Sequence, residues 1–97
     1  MDQNTAWTRP NRASVAHTCE LILRKIEREY QVGRDVLRKR TRVSHVLRAR
    51  FAYEYELAAH TALSLSQIAR KAGVGDHTTV IHGIRQHCKR NQLEAPR

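Results

Sequence analysis

Two helix-starting signals, Ser64-Leu65-Ser66-Gln67 and Asp76-His77-Thr78-Thr79, stand on either side of Gly73-Val74-Gly75, and nothing else so narrows what this chain can fold into. Ser64 and Gln67 fit the Ser-x-x-Gln capping box, in which each side chain satisfies a free backbone donor at a helix start. Asp76 is a good N-cap for the next helix, predicted to run to about Arg90. Gly73 suits the C-terminal stop of the first, so two helices must meet at a short corner: a helix-turn-helix over about 64–90. Leu65, Ile68, Ala69 and Ala72 supply the inner face of one, and Val80, Ile81, Ile84 and Cys88 that of the other. Gly83 would permit close approach by a neighbouring helix.

Upstream, Val15, Cys19, Ile22, Leu23, Ile26 and Tyr30 recur at helical spacing and predict a helix from about Ala13 to Gln31, with Ser14 as a candidate cap and Gly33 as its end. Glu20, Arg24, Lys25, Glu27 and Arg28 lie on its other faces, a solvated mixed-charge surface. Val36 and Leu37 suggest a short helical turn that drops both side chains into the core. A further helix from near Ser44 to about His60 should bury Leu47, Phe51, Tyr55, Ala58 and Ala62 and leave Glu54 and Glu56 in solvent. The expectation is an all-α domain of about five helices over 13–91, with no strand-like alternation, repeat or low-complexity segment. Met1 to Arg12, polar and containing Pro10, reads as a flexible arm, and 92–97 as a tail or linker start. Trp7 in that arm either packs over the core or meets a partner.

At 97 residues there is room for one modest core. Eighteen Lys and Arg against nine Asp and Glu give a formal +9, an excess that favours a polyanionic partner, nucleic acid first. No apolar run approaches the ~20 residues needed to span a bilayer and no signal-peptide core is present, so a cytoplasmic protein without membrane partners is expected. Cys19 and Cys88 lack Cys-x-x-Cys spacing and fall on apolar stripes, which predicts buried, reduced thiols. His77, His82 and His87 are spaced by five, which swings their imidazoles off one helix face, so no metal site, cofactor or catalytic centre is expected.

The positive charge is densest where Arg38, Lys39, Arg40, Arg42, Arg48 and Arg50, with Arg34, stand against the single acidic Asp35. A merely solvated loop would leave these charges repelling one another, whereas a phosphate backbone offsets them. Arg38, Lys39, Arg40, Arg48 and Arg50 are therefore candidate phosphate contacts, with one arginine reaching into a minor groove. Side chains at the start of the last helix are suited to base edges in the major groove. Thr78 and Thr79 offer a methyl for thymine and a hydroxyl, His77 donates or accepts according to tautomer, and Asp76 can accept from cytosine as well as cap its helix.

The segment from about Val15 to His87 resembles domain IV, the DNA-binding domain of the bacterial replication initiator DnaA. Asp76-His77-Thr78-Thr79-Val80-Ile81-His82 is similar to that family's Asp-His-Thr-Thr-Val-Leu-His signature, and Ser64-Leu65-Ser66-Gln67-Ile68-Ala69 to its Ser-Leu-Pro-Glu-Ile-Gly segment at matching separation. The resemblance implies a Trp-repressor-like helix-turn-helix in which Asp76, His77 and Thr78 meet bases and Arg42, or Arg40 if the loop slips in register, enters the minor groove. It makes Thr79, Ser66 and Arg50 backbone contacts and lets Leu65 touch a thymine methyl. Two departures qualify it. Val74-Gly75 stands where the family has Gly-Arg, which implies a different site preference, and no Gly-x-x-x-x-Gly-Lys-Ser/Thr loop is present to bind nucleotide, so a complete initiator is not expected.

These readings converge on sequence-specific binding of double-stranded DNA by a transcription regulator of the kind found in phage-like clusters and gene transfer agents. A regulator of replication initiation, or a helical adaptor docking another protein through its charged first helix and Trp7, stand as alternatives. Contacts with transcription or replication machinery follow from the first two.

Overall fold

The computed structural model describes residues 12–96, all of whose regular structure is helical: α1 (Arg12–Tyr30), α2 (Arg34–Leu37), α3 (Ser44–His60), α4 (Leu65–Ala72) and α5 (His77–Asn91). The arm and Trp7 lie outside the described residues, except that Arg12 already belongs to α1. Ser14 therefore sits inside the helix rather than capping it, its carbonyl accepting from the Thr18 hydroxyl at 3.0 Å. At the other end α1 stops at Tyr30, and it is Gln31, not Gly33, that turns left-handed (φ 53°).

Helix α3 packs against all four other helices. That central position overturns the single buried stripe expected for it. A helix surrounded by neighbours buries more than one face, and here Ala58 is interior as expected but so are Val46, Ala49, Ala52, Tyr53 and Leu57, while Leu47, Phe51 and Tyr55 are only half-buried and Ala62 is exposed. Glu54, expected in solvent, is 0 % exposed, and Glu56 is half-buried. Val36 also departs from expectation, at 48 % exposed, because α2 is a single turn and seats only Leu37 in the core. Cys19 and Cys88 are free thiols in the core, as their positions on the apolar stripes imply.

Two devices orient the helices. Arg34 fastens α2 to α1: its guanidinium donates to Glu20 at 2.8 Å and Glu27 at 2.9 Å, and its backbone N–H donates to Glu27 at 3.0 Å. These bonds hold the Glu20 carboxyl down to about 2 and the Glu27 carboxyl below its ordinary range. The other device is the notch at Gly83, where α3 crosses α5 so closely that an added Cβ would fall 2.0 Å from Glu54 Oε1 and 2.8 Å from a Phe51 ring carbon.

Candidate nucleic-acid interface

The corner between α4 and α5 is built by local chemistry, as the sequence implies. Gln67 N–H donates to Ser64 Oγ at 3.1 Å and Ser64 N–H to Gln67 Oε1 at 2.8 Å, closing the capping box. Ile68, Ala69 and Ala72 bury the inner face of α4, and Gly73 ends it in the left-handed conformation (φ 74°). Asp76 then caps α5, with Thr79 N–H donating to Asp76 Oδ1 at 3.1 Å and the Thr79 hydroxyl at 3.3 Å. Those bonds hold the Asp76 carboxyl below its usual range, so it is ionised at the positive end of the helix dipole. Both fall on Oδ1.

Anchored by Val80, Gly83, Ile84 and Cys88 on its buried side, α5 presents His77, Thr78 and Thr79 to solvent on its first turn. Ser66 is likewise exposed on the first turn of α4, while Leu65 is half-buried against the core. Thr79 differs from the other two leading residues of α5, because a phosphate seeking its hydroxyl would compete with Asp76.

The basic segment brackets α5. At one end Arg38 Nε donates to the Lys71 carbonyl at 3.1 Å, fixing the loop after α2 against the last turn of α4 and so beside the corner that leads into α5. A cation there also complements the carbonyl end of α4. At the other end, the exposed Arg48 of α3 lines a small notch with Gln86 and Arg90 of α5. Between them Lys39, Arg40 and Arg42 are exposed, and Thr41 Oγ1, accepting from Val43 N–H at 3.0 Å, shapes the bend that carries Arg40 and Arg42. Arg34 takes no part in this surface, since its charge is spent on Glu20 and Glu27.

Arg50, expected among the phosphate contacts, is 7 % exposed, and its guanidinium faces inward. Nε donates to the Leu37 carbonyl at 2.9 Å and Nη2 to the Lys39 carbonyl, so it props the basic loop from beneath. A lysine cannot span two carbonyls with a planar fork. Arg50→Lys is therefore expected to lower the unfolding free energy by about 1–2 kcal/mol in urea titrations. Unchanged stability with weakened DNA affinity would instead return Arg50 to direct contact.

Sequence reading missed Lys71, Gln86 and Arg90. The last two had a signal: Thr78, His82, Gln86 and Arg90 recur in steps of four, a row along one side of a helix, and all four are exposed.

Among the described residues no helix is long and apolar enough to cross a membrane, and no three His, Cys, Asp or Glu side chains gather as metal ligands.

Residues 12–86 match the family model for the bacterial dnaA protein helix-turn-helix. Relatives include chromosomal replication initiator proteins DnaA from Porphyromonas gingivalis, 34% identical over 79% of this chain, and from Rhodopseudomonas palustris and Nitrobacter winogradskyi, each 39% identical over 69%. The chain spans only 14% to 16% of the length of those relatives. No solved structure gives a significant match. With the capped corner, the Asp76-His77-Thr78-Thr79 start of α5 and the match over α1 to α5 in agreement, the chain belongs to the family of the bacterial DnaA helix-turn-helix domain.

Proposed function

We propose that the chain binds double-stranded DNA sequence-specifically, without catalysis or cofactor, as a transcription regulator acting on the nucleoid in the bacterial cytoplasm. One observation carries this reading: His77 and Thr78 stand exposed on the first turn of a helix whose N-terminus is capped and whose flanks are cationic. Inserted in the major groove, that turn offers an imidazole and a methyl-bearing hydroxyl to base edges, with Asp76 Oδ2 able to accept from cytosine. Arg38, Lys39, Arg40 and Arg48, with Ser66 and Thr79, set the register on phosphates, and Arg42 or Arg40 enters the minor groove.

His77→Ala and Thr78→Ala are each expected to cost about 1–3 kcal/mol on the preferred duplex and little on random duplex. Equal losses on both would make them backbone contacts. The preferred duplex itself comes from selection out of a random pool, and failure to select any sequence would sink the proposal.

A second reading has specific support, because the relatives are named as replication initiators. This chain would then occupy initiator boxes and block or recruit the initiator. Recovery of such boxes in the selection, with competition against the initiator on origin DNA, favours that role over promoter regulation.

A further inference from the structure

We infer that Arg48, Arg90 and Gln86 form one seat for a single backbone phosphate of duplex DNA flanking the bases read by α5, a conclusion that rests on the DNA-binding reading above. The notch between α3 and α5 is lined by Arg48 of α3 and by Gln86 and Arg90 of α5, with Phe51 of α3 and Tyr30 of α1 also in its lining. Among the described residues no Asp or Glu lines it. Two arginines from different helices thus border one opening with an amide side chain, and the acidic charge nearby, from Glu29 and Glu56, acts on the notch from outside its described lining. Such convergence is unfavourable until an anion fills it, and planar guanidinium forks match phosphate oxygens.

The notch is small, about 60 Å³, on the scale of a phosphate group. Beside the notch, His45 Nε2 donates to the Tyr30 carbonyl and ties the start of α3 to the end of α1. Arg90 lies close enough for its charge to act on the Tyr30 hydroxyl, against the opposing charges of Glu29 and Glu56. His87 adds no charge, since burial disfavours its protonated form.

The carbonyl end of α5 carries a partial negative charge of about half an electron, which alone would repel phosphate. Two full positive charges outweigh it. Part of that end is also covered, with Asn91 Nδ2 donating to the His87 carbonyl at 2.9 Å and Leu93 N–H to the Cys88 carbonyl at 2.9 Å.

Placement fits the same docking that puts His77 and Thr78 on bases. From His77 to Asn91 the helix rises about 21 Å, whereas the major groove is about 12 Å wide. A helix entering by its N-terminus must therefore leave past the flanking backbone, and the row Thr78, His82, Gln86, Arg90 ends where that backbone would run.

The test uses Arg48→Ala, Arg90→Ala and the double variant, all at exposed positions, with affinity for a random-sequence duplex of about 30 base pairs measured against salt. If both arginines hold one phosphate, the double variant lowers the slope of log affinity against log salt by roughly 0.9, not by the roughly 1.8 of two separate contacts. The ratio of preferred to random affinity should stay unchanged. An unaltered slope, or a loss of two phosphates' worth, overturns the shared seat while leaving DNA binding intact. If the wild-type chain binds no duplex, the functional reading fails instead. The duplex seat falls with it, and a bare phosphate-binding notch remains only if inorganic phosphate shifts the Arg48 and Arg90 Nε NMR resonances.

Discussion

Glu54→Met is expected to stabilise the protein by an amount that grows with pH, from little near pH 5 to about 3–5 kcal/mol at pH 8. Glu54 is 0 % exposed, neither carboxyl oxygen has a hydrogen-bond partner among the described residues, and Oε1 fills the notch left by Gly83. Burial pushes its carboxyl from 4.5 up to about 8, against the weaker pull of Arg50 one helical turn away. The sign follows from proton counting. Below 4.5 both folded and unfolded chains hold the proton; from there to about 8 only the folded chain does, so rising pH favours unfolding by about 1.4 kcal/mol per unit. Against a typical domain stability of about 5–15 kcal/mol this is a large fraction.

Methionine has similar length, no charge and the flexibility to follow the notch. Glu54→Gln should flatten the pH dependence without the full gain, because its amide remains buried without partners. Urea unfolding of the three proteins between pH 5 and pH 8 reads both effects. A stabilisation by Met that is equal at the two ends would show that the ionisation of Glu54 does not oppose folding. On the acid side the order reverses: Glu20 and Glu27, held low by Arg34, contribute stability that is present above 4.5 and fades as pH falls below it, for Glu20 down to about 2. Both are partly exposed, so their contribution is small.

Glu54 also marks where sequence stops being sufficient. The capping box at Ser64, the Asp76 cap and the Gly73 stop were legible because each is settled by residues within a turn of one another. The same holds for the outward direction of His77 and Thr78, which follows once Val80, Ile84 and Cys88 define the buried side. Helix α3 defeated that logic, since its interior faces are chosen by α1, α2, α4 and α5 together and no single periodicity describes them. Charge was misjudged for a related reason. Arg34 and Arg50 look like free cations in a basic run, yet one is consumed by carboxylates on α1 and the other by loop carbonyls, partners that only the tertiary fold brings within reach. Arg90 shows the converse, a residue that gains meaning only when Arg48 from another helix is beside it.

Gly73→Ala is expected to cost more than about 3 kcal/mol, and to weaken duplex binding even under conditions where the variant stays folded. Two effects combine. Gly73 has φ 74°, and the left-handed region costs a residue with a Cβ about 1–2 kcal/mol. That Cβ would also fall 2.4 Å from the Arg38 carbonyl oxygen and 3.1 Å from the Arg38 Cβ. The obstacle is backbone, not the end of a flexible side chain, so relief requires the loop after α2 to withdraw from the corner between α4 and α5. Withdrawal breaks the bond from Arg38 Nε to the Lys71 carbonyl and separates the basic loop from the start of α5. Stability and affinity should therefore fall together. Gly75→Ala is the control, two residues away in the same corner: nothing lies within 4 Å of its added Cβ and its φ is not positive, so a change within about 0.5 kcal/mol is expected. Should Gly73→Ala prove no more costly than Gly75→Ala in urea unfolding, the loop and the corner are not in the contact described. A stability loss with duplex affinity preserved would mean that the position of Arg38 does not matter to DNA binding.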